Sequence, residues 1–163
     1  MSVVIPVYNE EDKIEKTLSV ITDYLKDKYS YEILLVDDGS YDNTYETVKK
    51  IADSRPNIRA FANKTNRGKG YSLKVGMTMA DGEYILFTDA DLSAPFEEIE
   101  KFWPFFNQGY DVVIGSRKVE GSDIQVHQSF YREFMGKTFH WLAQKLVTDT
   151  ELLQIRMQIR GFY

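Results

Sequence analysis

Leu-Phe-Thr-Asp-Ala-Asp-Leu-Ser-Ala-Pro occupies residues 86–95, directly after Tyr84 and Ile85. The apolar run that begins at Tyr84 predicts a buried strand, and Asp89 and Asp91 follow at its carboxyl end. Taken alone, either acid can equally serve as a turn residue or as a cap for a helix after Pro95. Two carboxylates at a strand end repel one another, and a cation relieves that repulsion. The stretch therefore predicts a strand end that can hold Mg²⁺ or Mn²⁺.

Segments with the apolar pattern of strands and helices alternate on both sides of this stretch. Asn9 can cap the first helix, Asp42 begins the second, the turn at residues 66–70 precedes the third, and a fourth follows Pro95. This order, with short connections, predicts an α/β fold with a mainly parallel sheet and flanking helices. The five predicted strands are Ser2 to Val7, Ile33 to Val36, Ile58 to Ala62, Tyr84 to Thr88 and Asp111 to Gly115.

Polar or charged residues follow four of these strands. In parallel sheets, ligands bind at the carboxyl ends of the strands, so these residues are expected to share one edge. They are Tyr8-Asn9-Glu10, Asp37-Asp38, the pair Asp89 and Asp91, and Arg117.

Three of the candidate segments have an ordinary structural interpretation beside the functional one. The segment 37–40 is either a simple turn or a place where the second acid accepts a hydrogen bond from a base or a ribose. The segment Asn66-Arg67-Gly68-Lys69-Gly70 is either a phosphate-binding turn at a helix start or a flexible basic loop. Arg117 forms either a two-pronged contact with a diphosphate or a surface ion pair.

The composition limits the chemistry. The chain has 163 residues, a net charge of −5 and no cysteine, and its two histidines are His127 and His140. A metal would therefore have mostly oxygen ligands, and broad nucleic-acid binding is disfavoured. We expect one domain over residues 1–163, without a signal peptide or an apolar stretch long enough to span a bilayer, in the cytoplasm.

Four motifs in order carry a resemblance to a known family. They are the segments Val4 to Glu10, Val36 to Ser40, Asn66 to Gly70 and Asp89 to Asp91. On these motifs, residues 2 to about 149 resemble a family 2 glycosyltransferase of the GT-A fold. The segment Thr88 to Pro95, with Gly115-Ser116-Arg117 after it, is most similar to dolichyl-phosphate β-glucosyltransferases and then to dolichyl-phosphate mannose synthases.

The resemblance implies a role for each matching residue. Pro6, Tyr8 and Glu10 would contact the base and ribose, Asp38 would accept a hydrogen bond from the base, and Lys69 would lie near the ribose or phosphates. Asp89 would lie near the ribose and the metal, Asp91 would bind Mg²⁺ or Mn²⁺, and Arg117 would face the diphosphate.

The resemblance also implies a reaction. A hexose, expected to be glucose from UDP-glucose, would move with inversion to dolichyl or polyprenyl phosphate at a membrane surface, where the protein would be peripheral. Because that acceptor is already ionised at neutral pH, it needs no strong general base. With a saccharide acceptor instead, a carboxylate base is required, and Asp149 is the candidate. A non-catalytic protein that binds a nucleotide sugar is the third alternative.

The end of the chain departs from the family pattern. Relatives continue after the position of Asp149 with a Gln-Cys-Gly-Phe-Lys-like segment, whereas this chain has Glu151-Leu152-Leu153-Gln154. The sequence thus predicts a complete donor-binding part at residues 1–117 and an incomplete acceptor part at residues 118–163, with weakened transfer. An incomplete sheet also predicts an open edge that favours self-association.

Overall fold

A computed structural model of the chain describes residues 1–92 and 94–115. Strands and helices alternate in this part, as the sequence predicts. The strands are β1 (Ser2–Val7), β2 (Glu32–Asp37), β3 (Ile58–Ala62) and β4 (Ile85–Phe87), and the helices are α1 (Ile14–Leu25), α2 (Thr44–Ser54), α3 (Lys69–Met79), a 3₁₀ helix (Phe96–Lys101) and α4 (Trp103–Phe106).

The four strands form one sheet in the order β3-β2-β1-β4, and all neighbouring strands are parallel. In the register of the central strand, Val3 lies between Ile33 of β2 and Leu86 of β4. The carboxyl ends of all four strands therefore lie at one edge of the sheet. This confirms the predicted α/β fold with a parallel sheet, and the polar residues that follow the strands meet at that edge.

Helices cover both faces of the sheet. Side chains alternate between the faces, so Val3, Ile5 and Val7 pack with α1 in the main core, whereas Val4 points to the other face. Helix α3 lies so close to that second face that a Cβ on Gly76 would come within 2.3 Å of Val4 Cγ1. The core residues of α1 are Ile14, Leu18, Ile21 and Leu25, which recur at helical spacing.

Pro6 occupies a central strand, where a proline usually removes a ladder hydrogen bond. The amide of Ser2 and the carbonyl of Val4 both face β4, so the nitrogen of Pro6 faces the same side. Strand β4 ends at Phe87, and its last pairing with β1 is made by the N–H of Thr88 to Val4. The next ladder bond would run from an N–H at position 6 to Thr88, so the missing N–H of Pro6 coincides with the end of the β1–β4 pairing and interrupts no later hydrogen bond of that pairing.

The prediction of a buried strand at Tyr84 to Thr88 is wrong in its burial. Strand β4 comprises three residues, and Ile85 and Phe87 are 44% and 47% exposed. In the part of the chain that the structure describes, β4 pairs with β1 alone and forms an edge of the sheet. The apolar run reflects a strand with one covered face, on which Leu86 packs against the core.

The prediction of a fifth strand from Asp111 to Gly115 is also wrong. Residues 111–114 form no strand, Gly115 alone is in an isolated β-bridge, and Val112 is 66% exposed. The helix expected after Pro95 is divided into the 3₁₀ helix and the four-residue α4.

The chain divides into two units, Met1–Glu97 and Glu98–Tyr163. The sheet and helices α1 to α3 belong to the first unit. Of the second unit, the structure describes residues 98–115, in which Phe105 and Tyr110 make an edge-to-face aromatic contact. No helix within residues 1–92 and 94–115 has the length and apolar character needed to cross a membrane.

Candidate functional site

The loops that follow β1 and β2 are joined by hydrogen bonds at the carboxyl edge of the sheet. The N–H of Asn9 donates to Ser40 Oγ over 3.0 Å, and Asn9 Oδ1 accepts from the N–H of Tyr41 over 3.1 Å. The prediction that Asn9 caps α1 is therefore wrong: its side chain reaches the neighbouring loop, and α1 begins only at Ile14.

Two tyrosines lie side by side at this edge. The rings of Tyr8 and Tyr41 meet edge to face with centroids 6.1 Å apart, and both are exposed, at 41% and 83%. The motifs indicate Tyr8 but give no reason to select Tyr41, which follows Ser40 in a turn. An exposed aromatic residue directly after a strand-end motif is the signal that would have found it.

Glu10 is held in the loop after β1 by its backbone and its side chain. The N–H of Glu10 donates to Thr44 Oγ1 over 2.8 Å, and Glu10 Oε2 is 3.0 Å from Lys13 Nζ. The hydrogen bond to Glu10 and the charge of Glu10 raise the pKa of Lys13, with a smaller contribution from the charge of Asp91. The charge of Asp91 thus acts on Lys13, three residues after Glu10.

Asp37 and Asp38 have different surroundings although they are adjacent and both buried. Asp37 closes its own loop: its Oδ2 accepts from the N–H groups of Gly39 and Ser40, each over 3.1 Å. Asp38 faces the segment after β3 instead. The first acid therefore shapes the loop after β2, and the second connects that loop to another part of the site.

The carboxylate of Asp38 accepts four hydrogen bonds. Its Oδ1 accepts from Asn63 Nδ2 at 2.8 Å, Ser72 Oγ at 2.9 Å and the N–H of Arg67 at 3.0 Å, and its Oδ2 accepts from the N–H of Gly68 at 2.8 Å. Burial alone would raise the pKa of Asp38, but these four donors outweigh it and lower that pKa. Asn63 and Ser72 were not identified from the sequence.

The turn at residues 66–70 presents fewer free N–H groups than its glycines suggest. The N–H groups of Arg67 and Gly68 donate to Asp38. The guanidinium of Arg67 lies over the ring of Tyr71, with its Cζ 3.7 Å from the ring centroid. Within the described residues, the N–H groups of Lys69 and Gly70 have no acceptor. These two groups open α3, where an anion is favoured by the helix dipole.

The triplet at residues 89–91 is held by its middle residue. Ala90 is 6% exposed and packs in the core, and its carbonyl oxygen accepts from Thr17 Oγ1 of α1. The flanking Asp89 and Asp91 are turned outward. Lys69 Nζ forms an ion pair with Asp89 Oδ1, although the two residues are 20 positions apart.

The carboxylates at this edge suit a divalent cation that is bound partly by the protein and partly by substrate phosphates. No group of three or more His, Asp or Glu side chains within residues 1–92 and 94–115 is arranged to hold a metal alone. Mg²⁺ is typically bound by one or two carboxylates together with substrate phosphates. The exposed Asp89 and Asp91, on either side of the buried Ala90, fit that pattern.

Several predicted site residues come together and others lie elsewhere. Tyr8, Glu10, Lys69, Asp89 and Asp91 lie at the carboxyl edge, and Pro6 precedes them within β1. Arg117 and Asp149 lie outside the residues that the structure describes, so their roles stay predictions.

The fold is that of a glycosyltransferase, and the chain belongs to glycosyl transferase family 2: the family model matches residues 2–162. The match continues past residue 149, where the motif resemblance ends. The parallel sheet with flanking helices confirms the predicted GT-A architecture.

Relatives carry more specific names. The chain is 33% identical to a dolichyl-phosphate β-glucosyltransferase of Dictyostelium discoideum, over 93% of this chain and 51% of the relative. It is 34% identical to a dolichol-phosphate mannosyltransferase of Pyrococcus furiosus, over 100% of this chain and 45% of the relative. The chain thus spans about half the length of these curated relatives.

A solved structure supports the same fold. S. aureus TarS 1–349 in complex with UDP matches 80% of this chain and 39% of its own, with 30% identity and a TM-score of 0.55.

Proposed function

We propose that this chain takes part in moving a hexose from a nucleotide-diphosphate sugar to dolichyl or polyprenyl phosphate, with inversion and with Mg²⁺ or Mn²⁺. Family membership supports the transfer chemistry, and the names of the two curated relatives support a polyprenyl-phosphate acceptor. Those names differ in the sugar. The motif at residues 88–95 favours glucose, and hence UDP-glucose, as the donor.

One observation carries the proposal: Lys69 meets Asp89 at the carboxyl edge of the sheet. The pair joins a cation and a carboxylate, and within the described residues the N–H groups of Lys69 and Gly70, at the start of the same helix, have no acceptor. A nucleoside diphosphate needs such a combination, because its phosphates require cationic and N–H donors while a metal requires carboxylates. Tyr8 and Glu10, on the loop after β1, would contact the base and ribose.

The chemistry follows from charge. When the sugar–phosphate bond breaks, the leaving nucleoside diphosphate gains negative charge, and fixed cations or N–H donors lower the barrier by stabilising it. Lys69 and the N–H groups that open α3 would supply that stabilisation, with Arg117 as a further candidate. Mg²⁺ or Mn²⁺ bound at Asp89 and Asp91 would add Lewis-acid stabilisation of the same charge. The acceptor phosphate, already ionised, would attack opposite the leaving group.

Donor binding is tested by calorimetry of the full chain with UDP-glucose in the presence of Mn²⁺. We expect heat that disappears with EDTA and falls strongly in Asp91→Ala. An exposed acid away from the edge, Asp53 in α2, provides the control, and Asp53→Ala should bind like the unaltered chain. Absence of metal-dependent heat, or equal heat in Asp91→Ala, would show the proposed donor site to be wrong.

Acceptor and sugar are tested together by a product assay. UDP- and GDP-linked sugars are each incubated with polyprenyl phosphate and, separately, with a saccharide acceptor. Lipid-linked product from UDP-glucose is the expected result. Product formed only on the saccharide would show that the acceptor is a saccharide and that the proposed lipid acceptor is wrong. Asp149→Asn would then test the candidate base. Binding without any turnover would reduce the function to nucleotide-sugar binding.

A further inference from the structure

The triplet at residues 89–91 belongs to a tight turn whose centre is buried. The N–H of Leu92 donates to the carbonyl oxygen of Asp89 over 3.3 Å, so Ala90 and Asp91 are the two central residues of a β-turn. Ala90 is 6% exposed, whereas the side chain of Asp89 is 46% exposed and Asp91 is exposed. The turn therefore presents two acids to the surface from either side of a buried residue.

Leu92, which ends this turn, has an unusual backbone conformation. Its φ is +48°, in the left-handed region that a bulky side chain adopts only where the surrounding structure enforces it. The side chain of Leu92 packs against the main core, to which Ala90 also belongs. Contacts with the core thus hold the turn at two of its residues.

A hydroxyl group of α1 contacts the centre of the turn. Thr17 Oγ1 donates to the carbonyl oxygen of Ala90, which is 73 positions away, and Thr17 is 5% exposed. A threonine within a helix can donate to a carbonyl of its own preceding turn, but its hydroxyl has a single hydrogen. Because Thr17 donates that hydrogen to Ala90, the bond connects α1 to the turn.

This hydrogen bond fixes the plane of one peptide group. The Ala90 carbonyl belongs to the peptide that joins Ala90 to Asp91, which is the central peptide of the turn. A flip of the central peptide interconverts type I and type II turns, and in type II the residue after it has a positive φ. Asp91 does not have a positive φ, although aspartate tolerates one better than most residues. Without Thr17, the buried carbonyl would lose its donor, and the flip would be favoured.

The same peptide determines how the two carboxylates are oriented. Asp89 and Asp91 are connected through Ala90, so a flip of the Ala90–Asp91 peptide changes the direction of the Asp91 side chain relative to that of Asp89. Mg²⁺ demands near-ideal octahedral geometry and therefore carboxylates in fixed directions. A bond made in the core thus bears on the geometry of a metal site at the surface.

We propose that Thr17 is a positioning residue for the metal: through its hydrogen bond to the Ala90 carbonyl, it sets the direction of the Asp91 carboxylate relative to that of Asp89. The proposal rests on the proposed function, because it concerns the Mg²⁺ or Mn²⁺ that would bind these two acids. Thr17 itself contacts neither the metal nor the nucleotide sugar. Its signal in the sequence is a polar residue among the apolar core positions of α1.

A second threonine of α1 provides a matched control. Thr22 Oγ1 is buried, and within the part of the chain that the structure describes it has no hydrogen-bond partner. Thr17→Val and Thr22→Val each replace a buried hydroxyl by a methyl group, but only the first removes a hydrogen bond to the turn. Thr17→Ser keeps the hydroxyl and is the conservative variant.

The first test needs no metal. Nuclear magnetic resonance of the metal-free chain gives the carbonyl carbon resonance of Ala90 and the coupling between the amide and α hydrogens of Asp91, which reports its φ. In Thr17→Val we expect the resonance to move upfield, because the carbonyl loses a hydrogen bond, and the coupling to change. Thr17→Ser and Thr22→Val should retain both values. A coupling in Thr17→Val equal to that of the unaltered chain would overturn the proposal.

The second test measures binding of the metal. Electron paramagnetic resonance follows Mn²⁺ binding in the presence of saturating UDP, with GDP run in parallel. Thr17→Val should bind Mn²⁺ about tenfold more weakly, as expected for the loss of a group that orients a metal ligand. Thr17→Ser should recover most of the affinity, and Thr22→Val should bind Mn²⁺ as the unaltered chain does.

A further variant distinguishes positioning from a loss of stability. Ile51→Val shortens a core side chain of α2, away from the turn. Urea unfolding should show that this variant is less stable, while its Mn²⁺ affinity is unchanged. If Ile51→Val weakens Mn²⁺ binding as much as Thr17→Val does, the effect at Thr17 reflects stability and the positioning role is wrong.

The unaltered chain judges the proposed function separately. If it binds Mn²⁺ with neither UDP nor GDP, the proposed metal-dependent function is wrong, and the positioning role is wrong with it. If the unaltered chain binds Mn²⁺ with one of them and Thr17→Val binds it equally well, the positioning role alone is wrong.

Discussion

At the scale of single residues, the site is built from groups whose partners are distant in sequence. No lysine stands next to Asp89 or Asp91 in the sequence, and the repulsion between the two acids therefore suggests a cation from outside. In the structure, Lys69 supplies a positive charge to Asp89. When a nucleotide sugar binds with its metal, the ion pair between Lys69 and Asp89 would separate. The metal would then bind the Asp89 carboxylate, and the phosphates would attract the Lys69 ammonium group.

Replacing Lys69 by methionine tests that exchange. Lys69→Met should weaken UDP binding about tenfold, the loss expected for a charge-assisted hydrogen bond of about 1.5 kcal/mol. The free energy of unfolding should change by less than about 0.5 kcal/mol, because an exposed ion pair contributes little stability. Calorimetry and urea unfolding measure the two quantities. Lys74→Met, at an exposed lysine farther along α3, is the matched control and should leave the affinity unchanged.

Asp38 also predicts how stability depends on pH. Its hydrogen bonds lower its pKa below the ordinary 3.8, so its stabilising effect is present above the pKa of the unfolded chain and is lost as pH falls through the folded-state pKa. Asp38→Asn should therefore cost about 2 kcal/mol at neutral pH. Below about pH 4 that difference should shrink. Urea unfolding across this range measures it, and a difference that stays constant down to the acid limit contradicts the prediction.

At the scale of elements, α3 joins the sheet to the site. Its amino end carries Lys69 and two N–H groups that have no acceptor in the described part of the chain. Its middle approaches β1 through Gly76, where any side chain would meet Val4. The close approach also lets Ser72 reach Asp38. The distance between this helix and the sheet is therefore part of the geometry of the site.

Two glycines of the same helix separate packing from helix propensity. Gly76→Ala should lower the free energy of unfolding by about 1–3 kcal/mol, because the new methyl group overlaps Val4 Cγ1. Gly70→Ala has no neighbour within 4 Å and should be neutral or stabilising by up to about 1 kcal/mol. Urea unfolding of both variants gives the comparison. Equal effects would mean that the approach of α3 to β1 does not limit the side chain at position 76.

At the scale of the whole molecule, the sheet has an apolar outer strand. Strand β4 exposes Ile85 and Phe87, and in the described residues its outer edge has no strand beside it. Such an edge can pair with a second chain. The self-association expected from the sequence is therefore a proposal that this edge supports.

Sedimentation of the full chain at several concentrations tests the edge. Concentration-dependent association is expected, and Phe87→Lys should reduce it, because a charged residue on an edge strand disfavours pairing. Val20→Lys places the same charge on an exposed position of α1 and is the control. If Phe87→Lys associates as strongly as the Val20→Lys control, β4 does not take part in the interface.

The sequence by itself determined the order of the elements, the parallel sheet and the edge at which polar residues gather. These features follow from local patterns: apolar runs bounded by turns, helical spacing in α1, and acids or glycines at strand ends. Four motifs in order were enough to indicate the family, because that resemblance rests on short stretches of adjacent residues. The sequence does not show why Pro6 is tolerated within β1. The structure does, because the pairing of β1 with β4 ends at Val4 and Thr88, just before the missing N–H of Pro6.

Tertiary structure alone decided which groups meet. Asp38 lies 25 to 34 positions from its four hydrogen-bond donors. Lys69 is 20 positions from Asp89, and Asn9 is 32 positions from Tyr41. Burial of β4 and a strand at residues 111–115 were predicted wrongly, since an apolar run does not reveal whether a neighbour covers it. Hydrogen bonding and burial depend on distances in space, and a local pattern in the sequence does not contain them.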